Sequence, residues 1–478
     1  MRKHRINKKH PITYLEVPTK KPEVTFETMM GYLKDAGNNF KDTRTGTATR
    51  YELSDVVCGT FGVFFTQCGS FLAYQENLEA KYGLSNAKTL FGVNNIPSDT
   101  HIRTLLDEQS TTSLAPVFND CLSLLQQNNH LDSYRVKIGE NSTVLVALDG
   151  TQYFSSGKVH CSNCSVKKSK SEDTTIYSHA MVTPTLVAPD NPSVLSLLPE
   201  FVTPQDGSKK QDCEINASKR WLKTLPDITA LQGERLTILG DDLYAHEPFV
   251  KDVIDSGNNF IFVCKPESHK AIYQAVEVSN NTKQLVKTTP TDTGFVTCTY
   301  RYLEGVPLRA GDEALRVNFV EMTEVTTRTT LRGKPLEEAR HEQTYHNAFI
   351  TDYPLNDDTA VEIATAGRAR WKIENENNNS LKTKGYNLEH NFGHGKEQLA
   401  AILATLNILA FLFHTILEKV NAQYLYMRMV LIARKRLFAS IEHCLLHKVY
   451  KSFEHLMNWM TKGINTPYDA DSAEAAPI

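Results

Sequence analysis

The chain has 478 residues, 41% hydrophobic and 22% charged, the balance of a globular protein long enough to bury a large core and divide into more than one unit. A formal charge of -3, from 52 Lys and Arg against 55 Asp and Glu, excludes a uniformly basic protein that coats nucleic acid, although it is compatible with a local basic cleft. Nine cysteines over this length are not the dense framework of a secreted disulfide scaffold and fit a reducing interior.

The start, residues 1–10, is basic, and no apolar signal-peptide core follows it, so the sequence predicts a cytoplasmic protein. Residues 1–140 read as a helical region with apolar runs at 56–65 and 115–118. Within it, Ser98 can cap a helix and Asp99 complements its dipole. That helix would present Thr100, His101 and Arg103 outward. Two readings stay open, insertion into a DNA groove or ordinary amphipathic packing of Ile102, Leu105 and Leu106, and either allows a phosphate contact by Arg103.

From 141 the pattern turns to β. Residues 144–148 form a continuous apolar run, as in a central strand buried on both faces, and it ends at Asp149. Further strand is predicted over 175–187, a helix over 213–225, a second buried strand over 235–239 and a third over 259–264. Strands alternating with helices predict a mixed α/β layer structure over 141–265.

Residues 266–345 are β-rich and laden with Thr and Val, and read as an insertion; the α/β pattern resumes over 346–400 with a strand at 348–352 and a long helix at 359–381. Asp357, Asp358 and Thr359 are capping-type residues for that helix. Helices are predicted to fill most of 401–478, ahead of a short acidic tail at 468–474 that reads as disordered. The apolar stretch 399–417 approaches membrane-spanning length, but Thr405, Asn407 and His414 interrupt it, so a buried core helix is predicted and no membrane partner.

Asp149 and Asp241 both follow buried strands, and ligand sites of open α/β sheets gather at the carboxyl ends of strands. Asp242 is a reserve for Asp241. Glu374 lies on the long helix between cations, with Arg370 one turn before it and Lys382 about two turns after, so that all three could share a face. Three such acids suit divalent metal ions, because Mg²⁺ takes hard oxygen ligands and a pair of ions can both activate a nucleophile and stabilise the leaving oxygen of a phosphodiester.

His160-Cys161-Ser162-Asn163-Cys164 carries a Cys-x-x-Cys pair beside the basic run 167–170. Two such thiolates can grip one face of a tetrahedral Zn²⁺, with His160 or His179 and Cys213 completing the set; two unligated buried cysteines are the alternative. In His390-Asn391-Phe392-Gly393-His394-Gly395 the glycines predict a loop, either touching DNA or forming a purely structural turn.

Leu148-Asp149-Gly150-Thr151-Gln152-Tyr153-Phe154, Gly240-Asp241-Asp242-Leu243-Tyr244 and Arg370-Trp371-Lys372-Ile373-Glu374 together resemble the DDE transposases of bacterial insertion sequences, over about residues 50–400. The group resembled has an RNase H-like core, a β-rich insertion before the final acid, and a Tyr-x2-Arg-x3-Glu-x6-Lys signature. Two positions depart from it: the tyrosine position is Gly367, and seven residues rather than six separate Glu374 from Lys382.

The resemblance implies a catalytic triad of Asp149, Asp241 and Glu374 holding two Mg²⁺ ions, with Mn²⁺ as a substitute, and DNA-contacting cations at Arg370, Lys382 and Lys384. It also implies double-stranded DNA as partner, both terminal inverted repeats and target, a homodimer in the synaptic complex, and a bacterial, nucleoid-associated location. The competing expectations are a catalytically inactive DNA-binding descendant and a stand-alone RNase H-like nuclease.

Overall fold

A computed structural model describes residues 24–45, 51–79, 82–168, 174–204, 212–331 and 334–465. The basic start, Ser169 and Lys170 of the basic run, and the acidic tail lie outside the described residues. The chain divides into two units, Met1–Asp120 with Ala410–Ile478, and Cys121–Leu409. The helical regions expected at the two ends of the chain therefore belong to one unit.

In that first unit the apolar run at 56–65 forms the helix Leu53–Thr66, buried at every position. Phe26 stacks on Phe453 at 4.5 Å and meets Phe65 at 4.7 Å, so N- and C-terminal helices share one aromatic core. Asn86 crosslinks them as well, its amide donating to the carbonyls of Leu445 and Lys448 at 2.8 Å each. Ser98 caps the helix Asp99–Asp107, accepting from the His101 amide, and Ile102, Leu105 and Leu106 are buried. Arg103 is exposed and forms an i,i+4 ion pair with Asp99 at 2.8 Å.

The second unit is α/β, built on a mixed ten-stranded sheet and a smaller four-stranded one. Its strands are β1 (Arg135–Ile138), β2 (Asn141–Ala147), β3 (Gly150–Ser156), β4 (Ser165–Lys168), β5 (Thr175–Val182), β6 (Thr185–Ala188), β7 (Asn191–Ser196) and β8 (Glu200–Phe201). There follow β9 (Leu236–Gly240), β10 (Asn259–Val263), β11 (Lys283–Thr291), β12 (Gly294–Pro307), β13 (Arg316–Leu331) and β14 (Lys334–Thr351). The large sheet runs β11-β12-β13-β14-β10-β9-β2-β6-β7, with β1 also paired to β2. Strands β2, β9 and β10 are mutually parallel, whereas β6 and β7 return as an antiparallel meander. The central strands are buried nearly throughout, as their unbroken apolar runs require.

Three elements differ from expectation. The strand predicted over 175–187 is two, because the chain leaves the small sheet after β5, passes Thr183-Pro184 and enters the large sheet as β6. In the β-rich segment the last strand and the one expected at 348–352 are a single strand, β14, which pairs with β10 and continues the large sheet. The helix predicted over 359–381 is broken. Asn356, not Asp357 or Asp358, caps its first part, Asp357–Arg368, through a reciprocal box with Thr359. After a tight turn at Ala369-Arg370 the chain winds on as a π-helix, Ile373–Asn378, and then as the α-helix Asn379–Thr383.

One unbroken helix among the described residues, Leu399–Val420, is long and apolar enough to cross a membrane, and 89% of its apolar window is buried within the protein. Its interrupting polar groups are buried too, with Asn407 donating to the Tyr386 carbonyl at 2.7 Å.

Candidate active site and a cysteine–histidine cluster

Strands β2 and β9 lie side by side in parallel, so Asp149 and Asp241, which follow them, are carried to the same end of the sheet. Asp149 sits where the chain departs from the large sheet: β2 precedes it, β3 of the small sheet follows, and its carbonyl accepts from the Thr183 amide at 3.0 Å where the chain returns. The π-helix brings Glu374 to this point. Its backbone is seated by an asparagine pair buried against the sheet: Asn377 accepts from the Ser196 hydroxyl at 2.7 Å, and Asn378 accepts from Thr183 at 2.8 Å. The amide of Asn378 in turn donates to Asp149 Oδ2 at 2.7 Å.

A fourth carboxylate completes the group. Glu214, in the first turn of the helix Glu214–Leu222, accepts from the Gly150 amide at 2.9 Å and from the Tyr244 hydroxyl at 2.7 Å. A Cβ at position 150 would overlap the Glu214 carboxylate, so glycine permits this approach. In sequence Glu214 reads only as an acid complementing a helix dipole, the commonest role at that position.

Burial first, then the negative charges of Glu214 and Glu374, push the Asp149 carboxyl up to about 7, against the pull of Arg370 and the Asn378 amide. Burial also raises the Glu214 carboxyl, and the charge of Asp241 adds to it. Asp241 accepts from the Leu243 amide at 2.9 Å. Its neighbour Asp242 is committed elsewhere: its oxygens accept from the Lys265 amide at 2.7 Å and the Ser268 hydroxyl, and it faces His269 at 3.4 Å.

The expected cations are all ion-paired. Arg370 meets Glu374 at 2.7 Å, one turn apart. Lys382 pairs with Glu389 at 2.9 Å rather than with Glu374, and Lys384 reaches Glu376 at 3.3 Å and the Asn375 carbonyl at 3.1 Å. Lys372 has a different part. It is buried, and its ammonium donates to the carbonyls of Ala188, Pro189 and Asn191, closing the β6–β7 turn. Gly367, at the tyrosine position of the signature, packs against Phe349 so closely that a Cβ would lie 2.6–2.9 Å from the ring.

Cys161, Cys164, His179 and His394 converge, each ligand atom within 4.8 Å of the others. Cys213 is not among them. It precedes the helix Glu214–Leu222 as its N-cap residue, exposed, and the position expected for it is taken by His394. His160 is also outside the group, exposed and stacked on Tyr177 at 4.4 Å. The segment holding His394 is a loop, as its glycines predict, and Gly395 has φ +68°. Burial pushes the Cys164 thiol up to about 11, and burial with neighbouring His394 draws the His179 imidazole down to about 4.

Compared with known families and with curated proteins, the chain matches neither a family model nor a curated sequence.

Proposed function

We propose that this chain is a DDE-type transposase, with an RNase H-like core, that cleaves the ends of an insertion sequence and joins them to target DNA. The observation that carries the reading is the meeting of Asp149, at the carboxyl end of β2, with Glu374 on a helix distant in sequence, while Asp241, after the adjacent parallel strand, is carried to the same end of the sheet and acts on Glu214. The order β7-β6-β2-β9-β10, an antiparallel meander joined to parallel strands, supports the RNase H-like reading. The π-helix bears on the shifted lysine. A π-turn holds one residue more than an α-turn, and one residue is what separates the Glu374-to-Lys382 spacing from the signature.

Asp149, Asp241 and Glu374 would hold Mg²⁺, or Mn²⁺ in its place. The acids fit such ions: burial and mutual repulsion leave Asp149 short of countercharge, a deficit that a divalent cation offsets. When bound, the pair of ions supplies water activation and leaving-oxygen stabilisation. Asn378 orients Asp149, Glu214 holds the Gly150 backbone behind it, and Tyr244 fixes Glu214. Arg370 restrains Glu374, and together with Lys382 and Lys384 it can exchange a carboxylate partner for a DNA phosphate. Double-stranded DNA is the proposed partner, and a homodimer the form that acts on two ends at once, in the bacterial nucleoid. Arg103, on the exposed face of a capped helix in the other unit, is an accessible cation for end DNA.

The test is Mg²⁺-dependent nicking and joining of DNA carrying the element's own ends, comparing wild type with Glu374→Gln at matched folding and DNA binding. Wild type should nick and join while Glu374→Gln only binds. Binding without cutting by both would favour a non-catalytic descendant, nicking without joining a stand-alone nuclease, and cutting by both would remove Glu374 from the site.

A further inference from the structure

Four of the six separations among the cysteine and histidine ligand atoms are those of a coordination tetrahedron, and the other two lie within 4.8 Å. Cys161 Sγ and Cys164 Sγ are 3.8 Å apart, each lies 3.4 Å from His179 Nε2, and Cys164 Sγ lies 3.6 Å from His394 Nε2. For zinc with bonds of about 2.3 Å to sulfur and about 2.0 Å to nitrogen, a regular tetrahedron has edges of about 3.8 Å between sulfurs and about 3.5 Å between sulfur and nitrogen. The four measured edges agree with these.

We propose that Cys161, Cys164, His179 and His394 form a structural zinc site that fastens the loop following the Glu374 helix to the small sheet that begins beside Asp149. The inference does not depend on what reaction the acids perform. Cys161 and Cys164 come from the β3–β4 connection, His179 from β5, and His394 from the loop before the helix Leu399–Val420. Four protein donors leave no open coordination position, which marks the site as structural rather than catalytic. Cys164, His179 and His394 are each at most 9% exposed, and Phe154 lies against the His394 ring at 4.3 Å, so these three donors are shielded from water, while Cys161 is half-buried.

Two further contacts serve the same geometry. The Cys161 amide points at Cys164 Sγ at 3.4 Å, a donor that would stabilise a thiolate there. Asn163, between the cysteines, donates to the Glu397 carbonyl at 2.8 Å and so ties the knuckle to the same loop as His394. The metal would do for this loop what its own sequence cannot. The loop has turns at Gly385 (φ +119°), Asn387 (φ +49°) and Gly395 (φ +68°), and no strand or helix to order it.

The experiment is metal analysis of the purified full chain, expressed with added zinc, by mass spectrometry and by release of zinc to a chromogenic chelator on thiol modification. Wild type should carry one zinc per chain, and so should Cys213→Ser and His160→Ala. Cys161→Ser and His394→Ala should lose affinity at least about tenfold. Should Cys161→Ser fail to fold, His394→Cys decides: it should keep the metal and, loaded with Co²⁺, show stronger sulfur-to-cobalt charge-transfer absorption than wild type. Chelation should speed amide exchange across 385–398 while β2, β9 and β10 stay protected. Folded wild type that takes up neither zinc nor Co²⁺ would overturn the proposal. So would zinc that survives in His394→Ala but is lost in Cys213→Ser, or a Cys161–Cys164 disulfide seen as a mass lower by two hydrogens.

Discussion

Asn378 donates a 2.7 Å hydrogen bond to Oδ2 of Asp149, linking the last residue of a π-helix to the residue two positions beyond the central strand β2. The same amide oxygen accepts from Thr183 and from Asn377, so one side chain sets the distance between helix and strand end. The bond is to a carboxylate in a half-buried place, where hydrogen bonds to charged groups contribute about 1.5–3 kcal/mol. Asn378→Ala should destabilise the protein by about that amount in urea unfolding and cut the nicking rate by more than the stability loss explains. A variant with wild-type stability and nicking would show that the bond positions nothing.

The raised Asp149 carboxyl has a definite sign in the pH dependence of stability. Its ordinary value is 3.8 and its folded value about 7, so between those pH values the folded state holds a proton that the unfolded state has released. Stability of the metal-free protein should therefore fall as pH rises through this window, by up to about 1.4 kcal/mol per pH unit, and level off above it. Asp149→Asn removes this slope and should be more stable than wild type at pH 8 in EDTA, with the gain shrinking toward pH 4. Unfolding curves at several pH values check this; a wild-type-to-variant difference that does not vary with pH would contradict it.

Restoring the signature tyrosine should harm the protein. A Cβ at position 367 would lie 2.6–2.9 Å from the Phe349 ring, so Gly367→Tyr must displace that ring, and overpacking of a core commonly costs about 1–3 kcal/mol or more. Gly367→Tyr should lower the melting temperature, and Phe349→Ala in the same chain should recover part of the loss, a coupling visible in a double-mutant cycle. Additive losses would mean that the two side chains do not compete for one space.

Cations close together in sequence should separate by function. Lys384 is solvent-accessible and paired only at the surface, so Lys384→Ala should weaken DNA binding and lower the slope of log affinity against log salt by about one. Lys372 is buried with three carbonyl acceptors, so Lys372→Met should leave that slope unchanged and instead destabilise the fold by about 2–4 kcal/mol. A salt slope that drops with Lys372→Met would place that ammonium on DNA.

The sequence by itself determined the local elements: the buried strands ahead of Asp149 and Asp241, the Ser98 cap, the loop at His390 to His394, and the Arg370–Glu374 pair one turn apart. These signals are complete within one strand or a turn or two of helix, because propensity, capping and periodicity act between near neighbours. The spacing put seven residues between Glu374 and Lys382, although it did not show the π-helix that begins that stretch. Only the tertiary structure decided the rest. It placed Glu214 beside Asp149, set His394 and not Cys213 against the cysteine pair, buried Lys372 under the β6–β7 turn, and made the β-rich segment an extension of the main sheet. Each of these depends on groups far apart in the chain meeting at one point. Burial and charge at such a point are set by the packing of whole elements, which no spacing along the chain encodes.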